Sequence, residues 1–437
     1  MASDVLLLRK KQSLQKRYLR ALSVEAVFEK QRSRNLIASS AKGLQITDVT
    51  GKKFLDFGNS MVLLGHSHPE IVKVVTERAA DLLVGGVPGW TMVEPRVLFA
   101  EELKSHMPGR LNGHGKVAYC SSGAEACDYA LGLARAYTKR NMIISFSGGY
   151  HGFTGATLAV NGIEPWLAAH RTPSRDGTVT APYPESRDGR DKEKHEAYCI
   201  EKFREMLDTV ASPDEVAATI FEPVEVMAGL RIPSAAFWQQ IFGICKKNGI
   251  LTIADEVFTG LGKTGRFLAV DHFGVEPDVV CLGKGVGATL PLGVIVSRAE
   301  VLDDHLKPNC NSSSAGNPIS CVAGLEGLKV IKREKLVKRA ASLGEYFLAR
   351  LREVSGRHDA VKEVRGIGLI LCMELNASGN QHGEKAQKLV EMMFDEGILV
   401  ARNGIHRNMI RVSPPLVVKR EQIDQFVVKM NTVLSSL

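Results

Sequence analysis

The chain is expected to fold as an α/β protein, with a mainly parallel sheet of the seven-stranded type flanked by helices and a smaller α+β domain. Three observations carry this. Six short apolar runs, Val117–Cys120, Met142–Phe146, Ala217–Phe221, Ile250–Ala254, Val279–Leu282 and Gly293–Val296, recur with helical segments between most of them. Strands that alternate with helices build parallel sheets, because each parallel connection must cross back over one face. Several runs are apolar throughout, which suits strands covered on both sides. After Pro318 the pattern changes to long helices and then to mixed strands and helices, a tail of about a hundred residues that suffices for a second domain.

From the start of the chain, Val5–Leu8 followed by the basic stretch Arg9–Arg20 reads as an amphipathic helix. Its four apolar residues are too few for a signal-peptide core of ~7–15, and Asp4 and Glu25 weigh against a mitochondrial presequence. Residues Gly43–Phe57 alternate polar and apolar, with Gly51 and Asp56 marking turns, and predict a short β-meander. Residues 1–68 are expected to join the small domain, 69–325 to form the large α/β domain, and 326–437 to complete the small one. Within the large domain, Tyr183–Ala197 is rich in Pro, Asp, Arg and Glu and reads as a solvated excursion leading to a helix near Ile200–Val210. Past Pro318 a long helical stretch runs through Leu325, Leu328, Val330 and Leu336 towards Leu351. Beyond it, Val361–Leu375, Ile398–Val400 and Met409–Val412 read as strands, and Glu384–Glu396 and Glu421–Leu434 as helices.

Bulk properties remove several function classes. The formal charge is +8, but Lys and Arg are scattered among nearly as many acids, so no nucleic-acid surface is expected. Apolar runs fall far short of the ~20 residues of a membrane span. The eight cysteines include no Cys-x-x-Cys pair, which favours reduced thiols and a cytoplasmic protein. No His-x-x-x-His or Cys/His ligand spacing is present, and no metal is expected.

Chemistry concentrates where strands end. Ser121-Ser122-Gly123-Ala124-Glu125 follows a strand and opens the helix Ala126–Thr138, a place where amide N–H groups and the helix dipole face an anion. Ser122 and Glu125 have the spacing of a capping box, a common device that needs no phosphate. Asp255 closes an apolar strand, where open α/β sheets bind ligands; a carboxylate there can hold a pyridine nitrogen protonated, or simply cap a turn. Lys284 lies between Gly283 and Gly285 after another apolar strand, where small neighbours leave room for a ligand. A solvated lysine would fit this place too, whereas a buried one becomes a nucleophile toward carbonyls. Gly262-Lys263-Thr264 is no phosphate loop, since Val257 fills the position of its first glycine, and Gly283–Gly287 lacks the dinucleotide-binding spacing.

In this order the motifs resemble the class III aminotransferases that depend on pyridoxal 5′-phosphate (PLP), over nearly the whole chain. Asp255 and Lys284 lie 29 residues apart, as in that family. The family has fold type I and includes 4-aminobutyrate and ornithine aminotransferases, glutamate-1-semialdehyde aminomutase, and amino acid racemases and epimerases. The resemblance implies that Lys284 holds PLP as a Schiff base and that Asp255 pairs with the ring nitrogen. Ser122, Gly123 and Ala124 would take the cofactor phosphate, Tyr150 would stack on one ring face and Val257 on the other, with His151 and Glu222 also at the cofactor. The run Asn311–Pro318 resembles a segment that reaches into the neighbouring subunit, where Ser313 would touch the phosphate; a homodimer with active sites at the interface follows.

For substrate, the resemblance assigns Arg411 to a carboxylate and adds Trp90 and Phe153. Phe153 stands where 4-aminobutyrate aminotransferases carry an arginine, Met227 replaces a gating glutamate, and Phe258 replaces the usual glutamine beside the phenolic oxygen. An aminotransferase with an apolar pocket is implied, moving an amino group from a small-molecule donor to a keto acid. Racemisation, epimerisation or an aminomutase reaction on the same scaffold is the alternative.

Overall fold

The apolar runs pair in a computed structural model that describes residues 2–21, 36–84, 91–163, 177–185, 189–303, 312–376 and 383–437. Near the N-terminus lie β1 (Ala38–Lys42), β2 (Gln45–Asp48) and β3 (Lys53–Asp56). The central strands are β4 (Lys116–Cys120), β5 (Met142–Phe146), β6 (Thr178–Ala181), β7 (Val216–Phe221), β8 (Leu251–Asp255), β9 (Val279–Leu282) and β10 (Gly293–Ser297). The last group is β11 (Val361–Ile367), β12 (Ile370–Leu375), β13 (Ile398–Leu399), β14 (Ala401–Asn403) and β15 (Met409–Val412). The chain divides into one unit of Met1–Pro69 with Ala341–Leu437 and another of Glu70–Ala340.

The second unit holds a seven-stranded sheet in the order β4-β10-β9-β8-β7-β5-β6. The strands β9, β8, β7, β5 and β6 are parallel, and β10 alone runs opposite to both its neighbours. A mainly parallel seven-stranded sheet flanked by helices is the α/β arrangement expected from the sequence. Every residue of β7, β8, β9 and β10 is buried, because helices cover the sheet. Because β4 opposes β10 and β10 opposes β9, the C-terminal ends of β4, β5, β7, β8 and β9 share one edge, the edge that carries every strand-end motif above.

Two readings need correction in this unit. The excursion Tyr183–Ala197 turns helical at Gly189 and continues to Thr209. Cys199, Ile200, Phe203 and Leu207 recur at helical spacing on its buried side, so the polar residues before them are a solvated helix face. The seventh strand, β6, is four residues long and among the described residues pairs only with β5, too brief to leave a period in the sequence.

The first unit has two four-stranded sheets, β1-β2-β3-β13 and β11-β12-β15-β14. The run read as one strand over Val361–Leu375 is a hairpin, turning at Gly368 with φ 53°. The long helical stretch beyond Pro318 is two helices, Pro318–Arg333 and Leu336–Ser355, because Lys335 enters the left-handed region at φ 52°.

Candidate active site

Asp255 is buried at the end of β8 and meets two partners. Its Oδ2 lies 2.8 Å from His151 Nδ1, and its Oδ1 accepts from the Val257 N–H at 3.0 Å. The turn cap therefore occupies one oxygen of Asp255 and the imidazole the other. His151 follows the Gly149-Tyr150 turn after β5, and its own N–H donates to Asn161 Oδ1 at 2.7 Å, while Asn161 Nδ2 donates to Gly152 O at 2.8 Å. Asn161 ties the whole turn, yet nothing in its sequence surroundings marked it.

Glu222 follows β7 and accepts from the Tyr150 N–H at 2.8 Å. Burial pushes its carboxyl up to about 8, and the charge of Asp255 adds to the effect. Phe153 packs edge-on against Tyr150 with ring centroids 5.4 Å apart and is 48% exposed.

Ser122 and Gly123 sit where β4 meets the helix Gly123–Thr138. Ser122 Oγ accepts from the Glu125 N–H at 3.1 Å, the cap expected from the spacing. The reciprocal half differs: Glu125 Oε2 accepts from the Ser121 N–H at 2.6 Å, one residue earlier than in a capping box. The Ser122 amide is thus not consumed by Glu125. Ala124 O accepts from Thr154 Oγ1 at 3.5 Å, which joins this helix start to the segment after Tyr150.

The lysine lies at the same edge. Lys284 has φ 46°, a left-handed conformation that side chains rarely adopt, and its Nζ stands 4.8 Å from the Phe258 ring centroid. An added Cβ on Gly283 would come 2.7 Å from Gly123 Cα, and one on Gly123 would come 2.6 Å from Val257 Cγ1. Only glycine at both positions lets the lysine turn, the serine-glycine turn and Val257 close together. Ser121 Oγ is 3.1 Å from Ser312 Oγ, so the serine run reaches the serine-glycine turn of its own chain, while Ser313 is exposed.

The fold also gathers atoms that sequence spacing kept apart. Ligand-type atoms of Cys127, His151 and Asp255 lie within 4.8 Å of one another. A hydrogen bond with Cys281, together with burial, holds the Cys127 thiol well above its ordinary range. Of the remaining expected residues, Arg411 is buried in β15 and donates from Nη2 to Gly58 O at 3.0 Å, within the first unit. Trp90 lies outside the described residues.

A buried carboxylate held by an imidazole, a glycine-lined helix start and a lysine on one sheet edge fit a phosphorylated pyridine aldehyde. Comparison with known proteins agrees. The family model described as Aminotransferase class-III matches residues 28–434. A 5-aminovalerate aminotransferase of Pseudomonas aeruginosa is 32% identical over 395 residues, covering 89% of this chain and 91% of that enzyme. An isoleucine 2-epimerase of Lentilactobacillus buchneri is 31% identical over 400 residues, covering 90% and 88%. An amine transaminase from an uncultivated Pseudomonas species, solved with PLP bound, superposes with a TM-score of 0.84 at 27% identity, covering 92% of this chain and 96% of that one. The chain belongs to the class III aminotransferases and is an enzyme of PLP-dependent transamination.

Proposed function

We propose that this enzyme moves an amino group from an apolar amino donor to a keto acid, with Lys284 as the cofactor-bearing lysine and general base. The observation that carries the reading is the strand-end constellation of Asp255, His151, Gly123 and Lys284 on one sheet edge. Bound PLP supplies the electron sink. Asp255, accepting from His151, keeps a proton on the ring nitrogen. Lys284 Nζ would serve as the base that takes the substrate's α-proton and gives it back. Ser122, Gly123 and Ala124 bind the phosphate at the helix start, and Tyr150 and Val257 enclose the ring.

The buried Phe258 and the exposed Phe153 support an apolar pocket, in place of one built for a second carboxylate. Arg411 is assigned the substrate carboxylate on the resemblance alone, a task its planar fork suits, and Trp90 and Ser313 are assigned in the same way. Leu83, Met92, Val97 and Leu98 are large exposed apolar side chains of the second unit, which supports a homodimer. No helix among the described residues is long and apolar enough to cross a membrane. The described cysteines are free and buried, in keeping with a cytoplasmic enzyme.

The test is a panel of L- and D-amino acids and amines, with and without pyruvate or 2-oxoglutarate, followed by keto product and enantiomer ratio. Keto product that requires an acceptor is expected, fastest with apolar donors. Enantiomer interconversion without acceptor would move the reading to an epimerase. Lys284→Ala is expected to lose near-visible absorbance and to slow turnover by at least about 10²–10⁴-fold.

A further inference from the structure

Behind Asp255 the strand ends bury more charge than a ring nitrogen needs. His151, Glu222, Glu225 and Arg231 are all buried. His151 Nδ1 meets Asp255 Oδ2 at 2.8 Å, and a carboxylate only accepts, so Nδ1 carries a proton. In the neutral imidazole the other nitrogen, Nε2, is then an acceptor in want of a donor. Among the described residues Nε2 has no hydrogen-bond partner, and neither carboxylate oxygen of Glu225 has one. Buried polar atoms left unpaired are costly, so native folds supply them with partners.

The two groups converge beside one glycine. An added Cβ on Gly149 would lie 3.1 Å from His151 Nε2, 3.1 Å from Phe146 O and 3.8 Å from Glu225 Oε1. A side chain at this position would therefore push between the imidazole and the carboxyl. Glu225 Oε2 lies 3.5 Å from Arg231 Nε, a contact without a hydrogen bond. Burial pushes the Glu225 carboxyl up to about 8 against the pull of Arg231, so at neutral pH it is a donor, the complement of Nε2. The other charges around this pair are those of Asp255 and Glu222, with the Tyr183 phenol beside them.

We propose that Glu225 is a positioning residue of the active site: bridged to His151 Nε2 by one water beside Gly149, it fixes His151 as the donor that holds Asp255 against the cofactor's ring nitrogen. A buried water needs about two to four polar partners, and Nε2, Glu225 Oε1 and Phe146 O provide them. The proposal rests on the reading of Asp255 as the ring partner of PLP.

Equilibrium binding of PLP, read from its near-visible absorbance, tests the chain of contacts without turnover. Glu225→Leu is expected to weaken PLP binding about 10-fold, the loss of one strong hydrogen bond. His151→Ala is expected to cost at least as much. The double variant should bind no more weakly than His151→Ala alone, because Glu225 acts through His151. Glu225→Gln, whose amide still donates, should recover most of the affinity lost in Glu225→Leu, a rescue that a damaged fold would not show. Wild-type affinity in Glu225→Leu, or additive losses in the double variant, would overturn the proposal. A wild-type protein that takes up no PLP would overturn the cofactor reading and this proposal with it.

Discussion

Glu256 follows Asp255 in sequence but faces a different task. It is fully buried, receives the hydroxyl of Thr259 and accepts from the Val270 N–H at 2.9 Å. Burial raises its carboxyl from the ordinary 4.5 to about 7. Between those pH values the unfolded chain releases this proton and the folded one keeps it, so the contribution to stability is whole below about 4.5 and is lost as pH rises through about 7. Glu256→Gln removes that dependence. Thermal unfolding should show the variant gaining on the wild type as pH rises from 5 to 7.5, by up to about 3 kcal/mol; a pH-independent difference would show that Glu256 is ionised in the fold. Asp255, Lys284 and the serine-glycine turn stood out in the sequence because each follows an apolar run. Asn161 and Cys127 did not, since no local pattern marks a side chain that ties a turn or a thiol brought beside His151 and Asp255 by the fold.

At the scale of elements, the helix Gly123–Thr138 joins fold to site, since its first turn is a cap and also the proposed phosphate loop. Ser122→Ala removes the acceptor for the Glu125 N–H and should cost about 1 kcal/mol in the cofactor-free protein, measured by denaturant unfolding. PLP affinity should fall as well, because the same residue is proposed to hold the phosphate; an unchanged affinity would detach the cap from the cofactor. Strands were predicted within a residue or so wherever both faces are buried, as in β5, β7 and β9. The short edge strand β6 and the polar start of the helix Gly189–Thr209 were missed, because edge pairing and a solvated helix face leave little apolar period behind.

For the whole molecule, the proposed homodimer makes a plain prediction: sedimentation equilibrium should return about twice the chain mass of 47.6 kDa, or a multiple of that dimer. A concentration-independent single-chain mass would leave Met92, which is 93% exposed, without the covering that a dimer is proposed to supply. By itself the sequence determined the class of fold and the order of the motifs, because these follow from local periodicity and residue type, and it pointed to the cofactor through the family those motifs resemble. Only the tertiary structure decided which strand ends share an edge, that His151 stands behind Asp255, and that two distant glycines let the lysine turn close on the start of the helix Gly123–Thr138. The reason is physical: periodicity reports which residues are buried, whereas strand order and the register of parallel pairing decide what each one is buried against.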